Sequence, residues 1–376
     1  MALAIWIEAM AVGAGIGGPA AQAAVAPVLN IPVIPWCEMD ARSFAMGGAY
    51  VAVAQGVTAT YWNPAGLASS PWLQVEAGVQ PQLTGTNWQT LKGILDELRR
   101  DQPDPSQLPE QLDVQAAAAG GGGVALRTAG AAVWGWGNGA IKADKQAQTL
   151  SADSQYWLDA VAGAGMTVPL VLPGLGRVSA GAVVKHVTAG TGWMRQDPPH
   201  PGPGPGTVVV SRTTVQAQGS GNALDLGARI ALSPRWVIGG AVKNVGLTLE
   251  GTSTTRLDTV TSVGGQPQTP GVNEQLQPFA QVVTPSWRVG LATEPGLPGL
   301  LLAADVDSQR RVHLGGEWAL PGRLVSLRAG TVLSDQTRPE YRVGAGAKLG
   351  ILAADVAASW QQGELGQVFV QTRLEF

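Results

Sequence analysis

Gln367–Phe376 reads QVFVQTRLEF, and its alternation decides the fold. Val368, Val370, Thr372, Leu374 and Phe376 share one face. Gln367, Gln371, Arg373 and Glu375 share the other, where Phe369 is the exception. A period of two is the signature of a strand whose faces meet different media.

The same pattern runs upstream. Leu73, Val75, Ala77, Val79 and Leu83 oppose Gln74, Glu76, Gln80 and Gln82. Leu224, Leu226, Ala228 and Ile230 oppose Asp225 and Arg229, and Trp287 and Val289 flank Arg288. Leu314 and Trp318 oppose His313 and Glu317; Leu327 opposes Arg328; Val343 opposes Arg342; Val356 opposes Asp355. Around Val183–Val187, Lys185 and His186 fall on opposite faces, and the sequence assigns neither to lipid. About fourteen strands are expected, each near the roughly 9–11 residues that cross a bilayer. A terminal aromatic on such a strand resembles the signal read by bacterial outer-membrane assembly machinery. Phe376 is the expected assembly element and that machinery an expected partner.

Composition separates the membrane reading from a soluble one. Charged residues are 14%, against roughly 25% in soluble domains. Hydrophobic residues are 45%, yet no run reaches the roughly 18 residues of a membrane helix. A barrel hides its lipid-facing residues at every second position and shows no such run. About eight strands already close over a packed interior, so about fourteen enclose a wide lumen in which charges stay solvated. The expected fold is all-β, an antiparallel transmembrane β-barrel of about fourteen strands in the outer membrane, in contact with its lipids. The rival is a soluble periplasmic sandwich or solenoid. The thirteen Trp, against four Tyr and four Phe, are expected mainly at membrane interfaces. On this assignment Leu327→Arg costs more than Arg328→Leu.

Three regions divide the chain. Residues 1–26 read as an atypical export signal: Ala21-Gln22-Ala23 and Ala24-Val25-Ala26 suit cleavage, but no Lys or Arg precedes Arg42 and Glu8 stands where basic residues belong. Residues 27–70 lack strand alternation, and 71–376 form the barrel. Within the latter, Trp88–Arg100 has the spacing of a short amphipathic helix, and Pro198–Gly206 is a Pro/Gly loop. Gly47-Gly48 permits close backbone packing or positive φ; Asn63-Pro64-Ala65-Gly66 reads as a tight turn.

The stretch ARSFAMGGAYVAVAQGVTATYWNPAGLA, Ala41–Ala68, resembles the N-terminal region of the FadL-like outer-membrane proteins, with their PorV/PorQ-type branch and related barrels of unassigned role. Arg42, Met46, Gly47, Gly48, Tyr61, Asn63, Pro64 and Gly66 carry the match; the linker Gln55-Gly56-Val57-Thr58 lacks the acidic pair often found there. Ala303–Asp307, His313–Trp318, Leu327–Gly330 and Arg373–Phe376 follow in the family's order. The resemblance implies that 27–70 folds into the barrel as a hatch, and that the protein is a plugged channel for hydrophobic or amphipathic small molecules. The alternatives are a docking or shuttle barrel for secreted proteins, as in PorV-like type IX secretion, or a structural outer-membrane protein. Short loops leave little surface for docking.

Other chemistry is missing. The net charge is −3 and no Lys/Arg cluster tracks phosphates, which excludes nucleic acid. Cys37 alone makes neither a disulfide framework nor a zinc knuckle. No hydrolase, nucleotide-binding or redox signature occurs, so neither an enzyme nor a cofactor is expected. His186, His200 and His313 are dispersed. His313 with Glu317 is too small a set for a metal and reads as a solvated lumen face. Asp305, Asp307, His313, Glu317 and Arg328 are the expected lumen-facing charges, with Arg328 as partner of the two aspartates.

Overall fold

The computed structural model describes residues 30–34, 36–84, 111–144, 146–168, 176–268, 271–334, 339–361 and 364–376. The expected export signal and the helix at Trp88–Arg100 lie outside the described residues.

Eighteen strand segments form one sheet. The two-residue segments His200–Pro201 and Gln266–Pro267 dress hairpin tips. The wall strands are β1 (Gln74–Thr84), β2 (Gln111–Leu126), β3 (Ala129–Asp144), β4 (Thr149–Val168), β5 (Arg177–Gln196) and β6 (Thr207–Ala231). Next come two interrupted strands, β7 (Trp236–Val245 continued by Thr248–Val263) and β8 (Gly271–Val282 continued by Ser286–Thr293). The rest are β9 (Leu300–Asp307), β10 (Val312–Ala319), β11 (Val325–Leu333), β12 (Glu340–Leu349), β13 (Leu352–Gln361) and β14 (Glu364–Glu375). The halves of β7 pair in series along β6 and the halves of β8 along β7, so the wall is fourteen strands. All neighbours are antiparallel, and β1 meets β14 from Gln74↔Glu375 to Val79↔Val370, closing the barrel.

The interruptions follow from local sequence. Asn244 and Gly246 both take positive φ, 64° and 75°, which ends the ladder in β7. Pro285 in β8 has no N–H to give. Ser308, in the short β9–β10 turn, donates to Trp287 O just below that break. The breaks therefore stand at the rim of the low wall.

The strands differ from the expected crossing length. β9–β13 have 8 to 10 residues, but β4 and β5 have 20 each and β6 has 25. Beyond the rim, β6–β8 carry Thr213, Thr214, Thr254, Thr255, Gln275 and Gln277. Such residues suit a sheet wet on its faces, so one side of the barrel rises as a tall wall.

The sidedness is that of a membrane barrel. Val289 (49%), Leu327 (46%), Val343 (43%) and Val356 (48%) are exposed outward, whereas Arg288 and Asp307 are wholly buried inward. Lys185 points in and His186 points out. Tryptophan does not follow the interface expectation alone. Trp36, Trp62, Trp134, Trp136 and Trp157 are buried inside, and Trp72, Trp236, Trp287, Trp318 and Trp360 face out. Phe369 breaks the alternation of β14 because it packs on Phe44, ring centroids 6.1 Å apart.

Phe376 N donates to Leu73 O at 2.8 Å, and the reciprocal bond is 3.4 Å. Deleting Phe376 removes the last rung of the closing ladder. The expected outcome is loss of heat-modifiable migration; unchanged migration and surface labelling would contradict it.

Candidate functional site: a segment clamped inside the barrel

Trp36–Leu67 is almost wholly buried against the inner wall. It contains α1 (Ala41–Ala45) and α2 (Ala59–Trp62). Asp40 caps α1: its Oδ1 accepts from Ser43 N (2.8 Å), and its Oδ2 accepts from Ser43 Oγ (2.6 Å) and Trp62 Nε1 (2.9 Å). Burial raises the Asp40 pKa against those donors.

The turn after α1 is held by four backbone contacts. His313 Nδ1 lies 2.8 Å from Gly47 O, and Arg288 donates to Gly48 O at 2.7 Å. Asp305 Oδ2 accepts from Tyr50 N (2.7 Å) and Val51 N (2.9 Å). Side chains of β8, β9 and β10 thus grip backbone groups of Gly47, Gly48, Tyr50 and Val51, which fixes position through the polypeptide itself. Gly47 (φ 63°) admits no side chain: a Cβ there would stand 2.6 Å from Thr331 N and 2.9 Å from Leu314 O. Gly47→Ala is expected to cost more than about 2 kcal/mol, since strained φ adds to a clash with immobile backbone. An unfolding midpoint equal to wild type in lipid would contradict this.

Arg42 anchors the segment by a two-pronged pair with Glu317, at 2.7 and 2.8 Å. Arg328 bonds Glu317 and Asp355, each at 2.6 Å. Arg328 is therefore not the partner of the β9 aspartates. Asp307 meets Arg311 (2.8 Å), His313 (3.2 Å) and Arg288 (3.4 Å). Nor is this face solvated: Asp305, Asp307 and His313 are at most 1% exposed, and the segment lies directly against Asp305 and His313. Glu38 pairs with Arg342 at 2.9 Å. Burial alone raises the Glu38 pKa, but Arg342, His313 and Arg288 outweigh it and hold the carboxyl at about 2.

Asn63–Gly66 forms the expected tight turn, with Gly66 N donating to Asn63 O at 2.8 Å, and the turn runs on into a helix. That 3-10 helix is Pro64–Ser69, with Asn63 Oδ1 accepting from Ala65 N at 3.1 Å. The Asn63 amide donates to Val51 O and Ala228 O, tying the helix to β6. Gly66 serves close packing, not positive φ: a Cβ would lie 2.1 Å from Ala54 O. Gly181 and Gly227 of the wall leave room for Pro64 and Asn63 in the same way.

Two cationic wall residues central to the site, Lys243 and Arg288, were not among the expected site residues, although the alternation put Arg288 on the polar face. Lys243 Nζ lies 3.0 Å from the Tyr61 ring centroid and 5.0 Å from that of Trp36. Arg288 sits over Trp36 (4.9 Å) and Trp62 (5.1 Å), whose rings stack 6.1 Å apart. Cations and rings alternate, an arrangement favoured by the negative face of the aromatic quadrupole. A lone Lys in the apolar strand WVIGGAVKNV was the available signal. Behind it Lys185 pairs with Asp225 (3.1 Å) and Asp159 (3.5 Å).

The closed antiparallel wall has counterparts among solved structures. The chain superposes on a TodX deletion mutant, a monoaromatic hydrocarbon channel, with a TM-score of 0.57, 14% identity, and 90% and 99% of the two chains covered. The fold is that of the hydrocarbon-channel barrels. CymD, another monoaromatic hydrocarbon channel, gives 0.55 at 13% identity, covering 90% of this chain and 97% of that one. The Pseudomonas putida toluene transporter TodX gives 0.54 at 16% identity, covering 90% and 98%. No family profile matches the chain, and no curated protein matches it in sequence.

Proposed function

We propose that the protein is an outer-membrane channel for hydrophobic small molecules, with residues 27–70 as its hatch. The observation that carries this reading is a division of the inner wall. On β8–β13 the inner face is charged and grips the segment. On β3–β6 apolar side chains predominate, Trp134, Trp157, Val161, Val183, Val187 and Ala217, around one buried charge cluster, Asp159, Lys185 and Asp225, that is paired within itself. A water-filled pore has a polar lining; an apolar lining instead suits a solute that gains by leaving water. TodX and CymD, whose fold this is, are hydrocarbon channels, which supports the same solute class here. Proteoliposomes holding the protein should admit toluene faster than empty ones and gain nothing for a sugar of similar size. Equal toluene entry with and without protein would overturn the reading.

The tall wall favours a second reading, a docking barrel for secreted proteins, because it supplies surface that short loops alone lack. Stoichiometric recovery of one exported protein with the purified barrel, without solute transport, would select it.

A further inference from the structure

The outer face of β2–β6 is hollowed into an open groove of about 900 Å³. Gly122, Val133, Ala160, His186 and Asn222 are successive register partners and cross it in one row. Gly122, Ala160 and Ala162 keep its floor low, and Val133, Val184 and Leu224 line it. Elsewhere on the outer face Leu, Val and Trp stand out. One end of the row is polar: His186 Nδ1 lies 3.0 Å from Asn222 Oδ1, both residues exposed outward. Neither has a further hydrogen-bond partner among the described residues.

The row is oblique to the membrane. Gly122 is set back from the Arg127–Thr128 turn by about 16 Å of strand, which puts it near mid-height in the wall. Asn222 stands between Ser220, paired with Glu250, and Leu224, paired with Val245. That places the polar pair level with the break in β7, at the opposite rim. Strand spacing makes the row about 20 Å long, enough for the chain of one leaflet, about half of a hydrocarbon core of roughly 30 Å. An exposed Asn amide offers N–H donors. An imidazole that gives its Nδ1–H to Asn222 becomes a donor at Nε2 once protonated. Such a pair at the interface suits an anionic acceptor.

We propose that the groove holds one phosphate-bearing acyl lipid of the bilayer, its headgroup bound by Asn222 and His186 and a chain laid along the row toward Gly122. This rests on the reading that the outer face meets lipid, so heat-modifiable migration in nanodiscs checks that reading separately. The full-length protein is purified from nanodiscs of phosphatidylglycerol and diacylglycerol, and retained lipid is counted by native mass spectrometry. One phosphatidylglycerol per chain is expected. His186→Leu with Asn222→Leu should lower its retention about tenfold, the loss of a bond to a charged group. Ala162→Trp should abolish it, and Ala345→Trp on the far wall should leave it unchanged. Equal retention by all variants, or of diacylglycerol as well as phosphatidylglycerol, would overturn the proposal. So would a dimer that Ala162→Trp dissociates, or toluene displacing the lipid.

Discussion

Replacing Arg328 with leucine is expected to destabilise the barrel by about 3–5 kcal/mol, because it leaves the buried Asp355 carboxylate without its close cation and takes one of two from Glu317. The guanidinium is 4% exposed and bonds both Glu317 and Asp355. Arg42 still holds Glu317, but the nearest remaining cation to Asp355 is Arg373 at 3.9 Å. Leu327→Arg places a charge on the lipid face and is expected to cost about 2–4 kcal/mol near the midplane. The order is thus the reverse of the one the alternation suggests, since the sequence reading took the lumen side as solvated. Urea unfolding in lipid vesicles measures both. A smaller loss for Arg328→Leu than for Leu327→Arg would mean that water reaches Glu317 and Asp355.

The outer face was legible because lipid imposes a single demand on every strand. Leu224, Trp287, Leu327 and Val370 are apolar for the same reason, and position within the barrel does not matter. The inner face was less legible because a covered charge and a wet charge look alike in sequence. Asp305 is buried where Tyr50 and Val51 lie against it, and nothing in the alternation of LLLAADVD says so. Strand length was misjudged for a related reason: Thr and Gln extend β6–β8 past the rim with no break in periodicity. The hidden partners of the motif are long-range. Arg288 and His313 reach Gly48 and Gly47 across 240 and 266 positions of chain. Lys243 gave no signal beyond its isolation, since its role depends on Tyr61 and Trp36 arriving from the other end of the sequence. Phe369 was visible as an exception, and Phe44 supplies the cause.

Removing Ala41–Gln55 is expected to open the lumen and leave the wall standing. The deletion takes away Arg42, the Gly47-Gly48 turn and the N–H groups that Asp305 accepts. The wall charges keep partners among themselves: Glu317 and Asp355 with Arg328, and Asp307 with Arg288, Arg311 and His313. Asp305 loses its donors, but water entering the cleared lumen replaces them. Pro64–Ser69 keeps its own seat against Gly181 and Gly227, so the remainder stays attached to β5 and β6. Strand pairing is untouched, because no residue of the deleted stretch belongs to the ladder. Single-channel conductance in planar bilayers should therefore rise from near closed to the level of an open barrel, with heat-modifiable migration retained. Failure to assemble would make the segment a folding element and remove the case for a separable hatch. An assembled barrel of unchanged conductance would mean that the lumen is closed without this segment, and the docking reading would then displace transport.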